Sequence, residues 1–245
     1  MFRDQILLLT SAALLFIFAN NAKNKVDFKP TLKETPTQIT LNDNLIAFPR
    51  KFSTNNANVI LPMIIVLNGR NATEKQLQYA IPENLNARVF FIRPNLKNNL
   101  YYVPRIKDNE EIVKPAIVQS GNSIIKAIDL LKNKFNTSKV ILIGFSQGSS
   151  LVLYLSSLGY NDVGLSFSGA LPSNLYPTNF QKTKVRIFHG NLDKVVPYEM
   201  GLGTYEAFKA QNYDVEFKER KNSHISPPKE LAFEWIKESL EINEI

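Results

Sequence analysis

The chain has 245 residues, 44% of them hydrophobic, which suits one α/β domain with a full core behind an N-terminal segment. It holds no cysteine, which excludes disulfides, thiolate metal sites, a cysteine nucleophile and a lipid-modified cysteine. The net charge is +7, but the lysines and arginines are scattered without a dense run or a nucleic-acid motif. The basic surface therefore reads first as a solvated one. Peripheral contact with an acidic membrane stays open, and a nucleic-acid partner is not expected.

From the N-terminus, Met1-Phe2-Arg3 precedes an apolar run from Ile6 to Ala19. At about 14 residues this run is inside the range of a signal-peptide core and short of the ~20 of a membrane span. Residues 1–22 are expected to be a signal peptide of a periplasmic or secreted protein, or else an uncleaved membrane anchor. Residues 23–58 are expected to hold a polar linker with Pro30 and Pro36 and an N-terminal edge strand over Gln38–Phe48. Residues 59–245 then form the main domain.

Ile60–Leu67 is a continuous apolar run, as expected of a strand buried on both faces, and it ends at Asn68-Gly69-Arg70-Asn71. Thr73 with Gln76 predicts a capping box and a short helix through Ala80. Arg88–Ile92 is the next strand. Residues 95–115 read as irregular, with Tyr101 and Tyr102 among them, and a stretch of that length often lines a site. From Ser120, apolar residues at Ile124, Ile125, Ile128, Leu131 and Phe135 recur at helical spacing.

Val140–Gly144 reads as a buried strand, Gly144-Phe145-Ser146-Gln147-Gly148 as a sharp turn, and Leu151–Leu155 as part of a helix. The pattern G-x-S-x-G between strand and helix is a nucleophile elbow. Glycines on both sides let the two arms approach, and the serine Oγ is held out at the carboxyl end of the sheet. The first amides of the helix point at the same spot. Strands follow at Val163–Ser168, Val185–Phe188 and Val215–Lys218, with helices from Tyr198 to Ala210 and after Pro227-Pro228. Strands alternating with helices predict an α/β fold, with a mostly parallel central sheet and helices on both faces. Asn68-Gly69, Ser146, Asp193 and His224 each fall just after a strand, so all should gather on one rim.

A serine needs a base to activate it, and the base needs a group to hold its tautomer. The chain has two histidines. In this fold the chain order is serine, acid, histidine. His224 fits as the base, because His189 precedes the candidate acid Asp193 and reads as structural. Asp214 is the rival acid but begins a strand, at the wrong end of the sheet. The backbone N–H of Gln147 and that of Arg70, in the turn after the early strand, are the expected oxyanion donors.

These residues resemble the phospholipase/carboxylesterase family of α/β-hydrolases, which includes the acyl-protein thioesterases. Four stretches carry the resemblance: Gly144–Gly148, Ser168–Pro172, His189–Pro197 and Ser223-His224 with the helix after it. Within the family, Ser146, Asp193 and His224 match the catalytic triad, and the Gln147 amide matches an oxyanion donor. The family's early turn is usually His-Gly-x-Gly; here Asn68-Gly69-Arg70-Asn71 stands in its place. Asn tolerates a positive φ better than most residues, so Asn71 can replace the glycine. Ser149 replaces a second glycine after the nucleophile.

The resemblance implies a serine hydrolase cleaving short acyl esters, lysophospholipids or thioesters through an acyl-enzyme, with no metal or organic cofactor. The family's cytosolic thioesterases lack a leader, which argues against a palmitoyl-protein substrate here. Amide or peptide hydrolysis on the same fold, and a non-catalytic binding domain that kept the elbow, stay open as alternatives.

Overall fold

A computed structural model of the chain describes residues 38–42, 44–50, 58–94 and 99–241. The leader or anchor expected at 1–22, and nearly all of the linker that follows it, lie outside these residues. Among the described residues, no helix is long and apolar enough to cross a membrane.

Eight strands form one sheet in the order β1-β2-β4-β3-β5-β6-β7-β8. They are β1 (Ile39–Asn42), β2 (Leu45–Pro49), β3 (Leu61–Leu67), β4 (Arg88–Pro94), β5 (Thr137–Phe145), β6 (Val163–Phe167), β7 (Lys184–Gly190) and β8 (Asp214–Arg220). From β4 to β8 every pairing is parallel; β1 and β2 add an antiparallel edge. The single edge strand expected over Gln38–Phe48 is thus two. Between them Asn42 Oδ1 accepts the Asn44 N–H at 2.9 Å, an Asx turn.

Among the described residues four helices cover the sheet: α1 (Glu110–Lys134), α2 (Gln147–Ser157), α3 (Tyr198–Ala210) and α4 (Lys229–Glu241). Side chains alternate along each strand, so the sheet has two cores. Met63, Ile65, Leu67 and Leu142 meet α1, α2 and α3 on one face. Ile64, Val66, Ile141 and Ile143 meet Leu231, Trp235 and Ile236 of α4 on the other.

Two expectations are corrected here. The helix expected from Ser120 starts at Glu110, where the Asn109 side chain accepts the Glu111 N–H and two glutamates occupy the first turn. Pro115 lies inside it, in the second turn, where it has no N–H to give to the Glu111 carbonyl, so the ladder lacks one bond there. The Thr73–Gln76 capping box does not form: Gln76 Oε1 accepts the Gly69 N–H at 2.8 Å, and only a single 3₁₀ turn, Gln78–Ala80, follows. That side chain holds the Asn68–Asn71 turn instead of a helix end.

Candidate active site

All the parallel strands present their carboxyl ends to one rim. The corner between β5 and α2 is tightly closed. A Cβ at Gly144 would lie 2.5 Å from the Gly148 carbonyl oxygen, and one at Gly148 would collide with the Leu67 carbonyl at the end of β3. Only glycine fits at either position, which accounts for both glycines of the motif. Ser146 between them has φ 53 and ψ −116, a conformation an L-residue holds only under constraint. The constraint is visible: its N–H donates to Phe167 O at 2.9 Å, and its carbonyl accepts the Ser150 N–H at 3.1 Å. Gly148→Ala is expected to cost about 2 kcal/mol or more and to lower the melting temperature by several degrees. Thermal unfolding followed by circular dichroism checks it; an unchanged midpoint would mean that the corner relaxes freely.

His224 sits on the loop after β8. Its Nδ1 lies 2.6 Å from Asp193 Oδ2 and its Nε2 lies 2.9 Å from Ser146 Oγ. A carboxylate only accepts, so Nδ1 carries the proton and the Nε2 lone pair faces the serine hydroxyl. Asp193 is buried. Burial alone would raise its pKa, but the hydrogen bond and charge of His224, with the Val196 and Val195 amides, hold it below the usual carboxylate range. Both amides donate to Oδ1, at 3.0 and 2.8 Å, leaving Oδ2 for the imidazole. Asp214, the rival acid, is at the start of β8 and pairs with Arg186 at 2.9 Å and Lys184 at 3.2 Å.

The His224 loop is fastened from several sides. Asn222 O accepts the Leu192 N–H at 2.9 Å, Ser168 Oγ donates to Ile225 O at 3.0 Å, and Tyr79 Oη donates to Pro227 O at 2.7 Å. The Phe145 ring packs 5.0 Å from the imidazole, centroid to centroid. Ser168 and Tyr79 escaped sequence reasoning, because nothing in their spacing marks a side chain that reaches across the fold. The Gln147 side chain escaped it too. Its Oε1 accepts the Tyr101 N–H at 3.0 Å and its Nε2 donates to Tyr102 O at 2.6 Å, tying the aromatic loop to the corner.

His189 is fully buried behind Asp193. Its Nε2 lies 2.9 Å from Val196 O and must carry the hydrogen, since a carbonyl only accepts. Nε2 is also 3.5 Å from Asp193 Oδ2, a distance that makes an ion pair only with a charged ring. Burial, foremost, pushes the His189 pKa below 6.5, so we take the ring as neutral and the contact as polar packing. The folded-state pKa is below the unfolded one. As pH falls through about 6.5 the unfolded chain takes up this proton first, so stability is full above that pH and drains below it. Melting temperature is expected to fall between pH 7.5 and 5.5, with a shallower slope in His189→Gln. Equal slopes would assign the acid sensitivity to another group.

A cavity of about 450 Å³ opens over Ser146. Gly69, Arg70, Asn71, Tyr102, Ile106, Gln147 and Val196 are among its lining residues. Asn71 has φ 59, the left-handed conformation that the altered turn requires. Ser149, in place of a second glycine, is buried with its Oγ 2.5 Å from Ser166 Oγ. Among the described residues neither the Gln147 nor the Arg70 N–H has an internal acceptor.

The chain is 30% identical to acyl-protein thioesterase 1 homolog 1 of Dictyostelium discoideum, over 48% of this chain and 56% of that protein. It is 27% identical to acyl-protein thioesterase 1 of Candida albicans, over 60% and 76%. The chain thus spans little more than half the length of the Dictyostelium relative. Among solved structures, the Bacillus cereus carboxylesterase superposes with a TM-score of 0.65 at 16% identity, covering 79% of this chain and 93% of that one. Zea mays acyl-protein thioesterase 2 does so with a TM-score of 0.58 at 18% identity, covering 79% and 98%. Both are likenesses of fold, and the fold is that of the α/β-hydrolases. The expectation of an exported or membrane-anchored protein is overturned by the relatives, which are acyl-protein thioesterases. A short apolar run resembles a signal-peptide core by composition alone. A sequence profile of the phospholipase/carboxylesterase family matches residues 98–243, more than half of the chain and the part that carries Ser146, Asp193 and His224. The chain belongs to that family.

Proposed function

We propose that the protein is a serine hydrolase that cleaves carboxylic esters, thioesters among them, through an acyl-enzyme. The observation that carries this reading is the unbroken polar path from Ser146 Oγ through His224 to Asp193, beneath an open cavity. The substrate carbonyl lies over Ser146. As Oγ bonds to the carbonyl carbon, its proton passes to His224 Nε2. The imidazolium that forms is held by Asp193. Negative charge grows on the carbonyl oxygen, where the unengaged N–H groups of Gln147 and Arg70 meet it. The C–O or C–S bond then breaks and the leaving group takes the proton from Nε2. Water repeats the sequence on the acyl-enzyme, giving the free acid and restoring the serine.

The test is a series of acyl esters from C2 to C16, assayed on the purified protein and on His224→Ala. Turnover by the wild type that drops about 10³-fold or more in the variant supports the reading. Release at the uncatalysed rate for every ester refutes it.

A further inference from the structure

The cavity over Ser146 is lined by four cationic side chains from three separate parts of the chain: Arg70 after β3, Arg105 and Lys107 before α1, and Lys194 after β7. No carboxylate lines it. Asp193 lies close by but is committed to His224 and to two backbone amides. The nearest acid in sequence to Arg105 is Asp108, whose carboxylate accepts the Arg105 backbone N–H at 2.7 Å. Among the described residues none of the four cations has a carboxylate partner. Arg70 Nη1 donates to Val103 O at 2.7 Å, a bond that fixes the guanidinium without neutralising it. Arg70 is half-buried and Arg105, Lys107 and Lys194 are exposed, so the cavity carries an excess of positive charge that solvent partly screens and that acts on an entering anion.

We propose that the ester cleaved here carries an anionic group, a phosphate or a carboxylate, within reach of Arg70, Arg105, Lys107 and Lys194. This deepens the ester-hydrolase reading and rests on it. Ile106, Tyr102 and Val196 supply apolar surface for the rest of the molecule. Four cations around one cavity, with no carboxylate among its lining residues, act together on an anion there, so an anionic substrate should be favoured by about tenfold or more in kcat/KM.

The test compares two matched pairs. On the acyl side, the 4-nitrophenyl ester of hexanoate is set against the mono-4-nitrophenyl ester of adipate. On the alcohol side, a monodecanoyl glycerol is set against the same compound bearing a terminal phosphate. A preference for the anion in either pair supports the proposal and says on which side the charge is read. That preference should shrink in 0.5 M salt, where screening shortens the reach of charge to about 4 Å, and the anion-to-neutral ratio should fall in Arg70→Gln and Lys107→Gln. Cleavage of the neutral member as fast as the anionic one in both pairs overturns the proposal and leaves the hydrolase reading standing. No cleavage of any of the four overturns both.

Discussion

Ser146→Ala is expected to lower kcat/KM for a short acyl ester by about 10⁴-fold or more and to abolish labelling by a fluorophosphonate. The serine oxygen is the one nucleophile facing a lone pair inside the cavity, 2.9 Å from His224 Nε2. The backbone at this corner is held by bonds from its own N–H and carbonyl and by the two flanking glycines, none of which the substitution touches. Melting temperature should therefore stay near that of the wild type, which separates lost chemistry from lost fold. Retention of more than about a tenth of the activity would place the nucleophile elsewhere.

Asp193→Asn is expected to cost nearly as much, about 10³- to 10⁴-fold, although it changes one atom. The reason lies on the far side of the carboxylate. Oδ1 accepts two backbone N–H groups, from Val195 and Val196, so an asparagine must turn its oxygen to that position. Its NH₂ group then faces His224 Nδ1. An NH₂ only donates, so Nδ1 must give up its hydrogen and Nε2 must carry one. The imidazole then meets Ser146 with a donor where a base is needed. Activity falls while the fold and the cavity persist, and a titration-sensitive probe of the imidazole, such as its proton NMR shifts, should report the changed tautomer. Activity within tenfold of the wild type would mean that Asp193 does not set it.

Much of this architecture was legible in the sequence because the relevant signals are local. The continuous apolar runs at Ile60–Leu67 and Val140–Ile143 became β3 and β5, side by side at the centre of the sheet, although β3 starts at Leu61 and Ile60 before it is exposed. Ser146, Asp193 and His224 could be placed on one rim because each follows a parallel strand, and parallel strands end together. The altered turn at Asn68–Asn71 was legible too, since Asn tolerates the φ of 59 found at Asn71. What escaped was side-chain traffic between distant elements. Gln76 looked like a cap and supports the Gly69 amide; Gln147 was singled out for its backbone N–H alone, and its side chain ties down Tyr101 and Tyr102. Such bonds depend on tertiary neighbours that no spacing rule encodes. The early start of α1 was missed because the apolar residues of its first turns, Ile112, Val113 and Ile117, fall in and beside the stretch read as irregular, and the helix begins ten residues before Ser120.

The residues that meet at the cavity do not share one mechanical footing. Ser146 stands on β5, an inner strand gripped by β3 and β6, whereas His224 follows β8, which has β7 alone beside it, and its loop relies on the bonds from Leu192, Ser168 and Tyr79. Outer strands fray at lower free energy than inner ones. Those three ties offset the weakness of the outer strand, so on gentle heating activity should last no longer than they hold, and Ser168→Ala should bring inactivation to a lower temperature than unfolding.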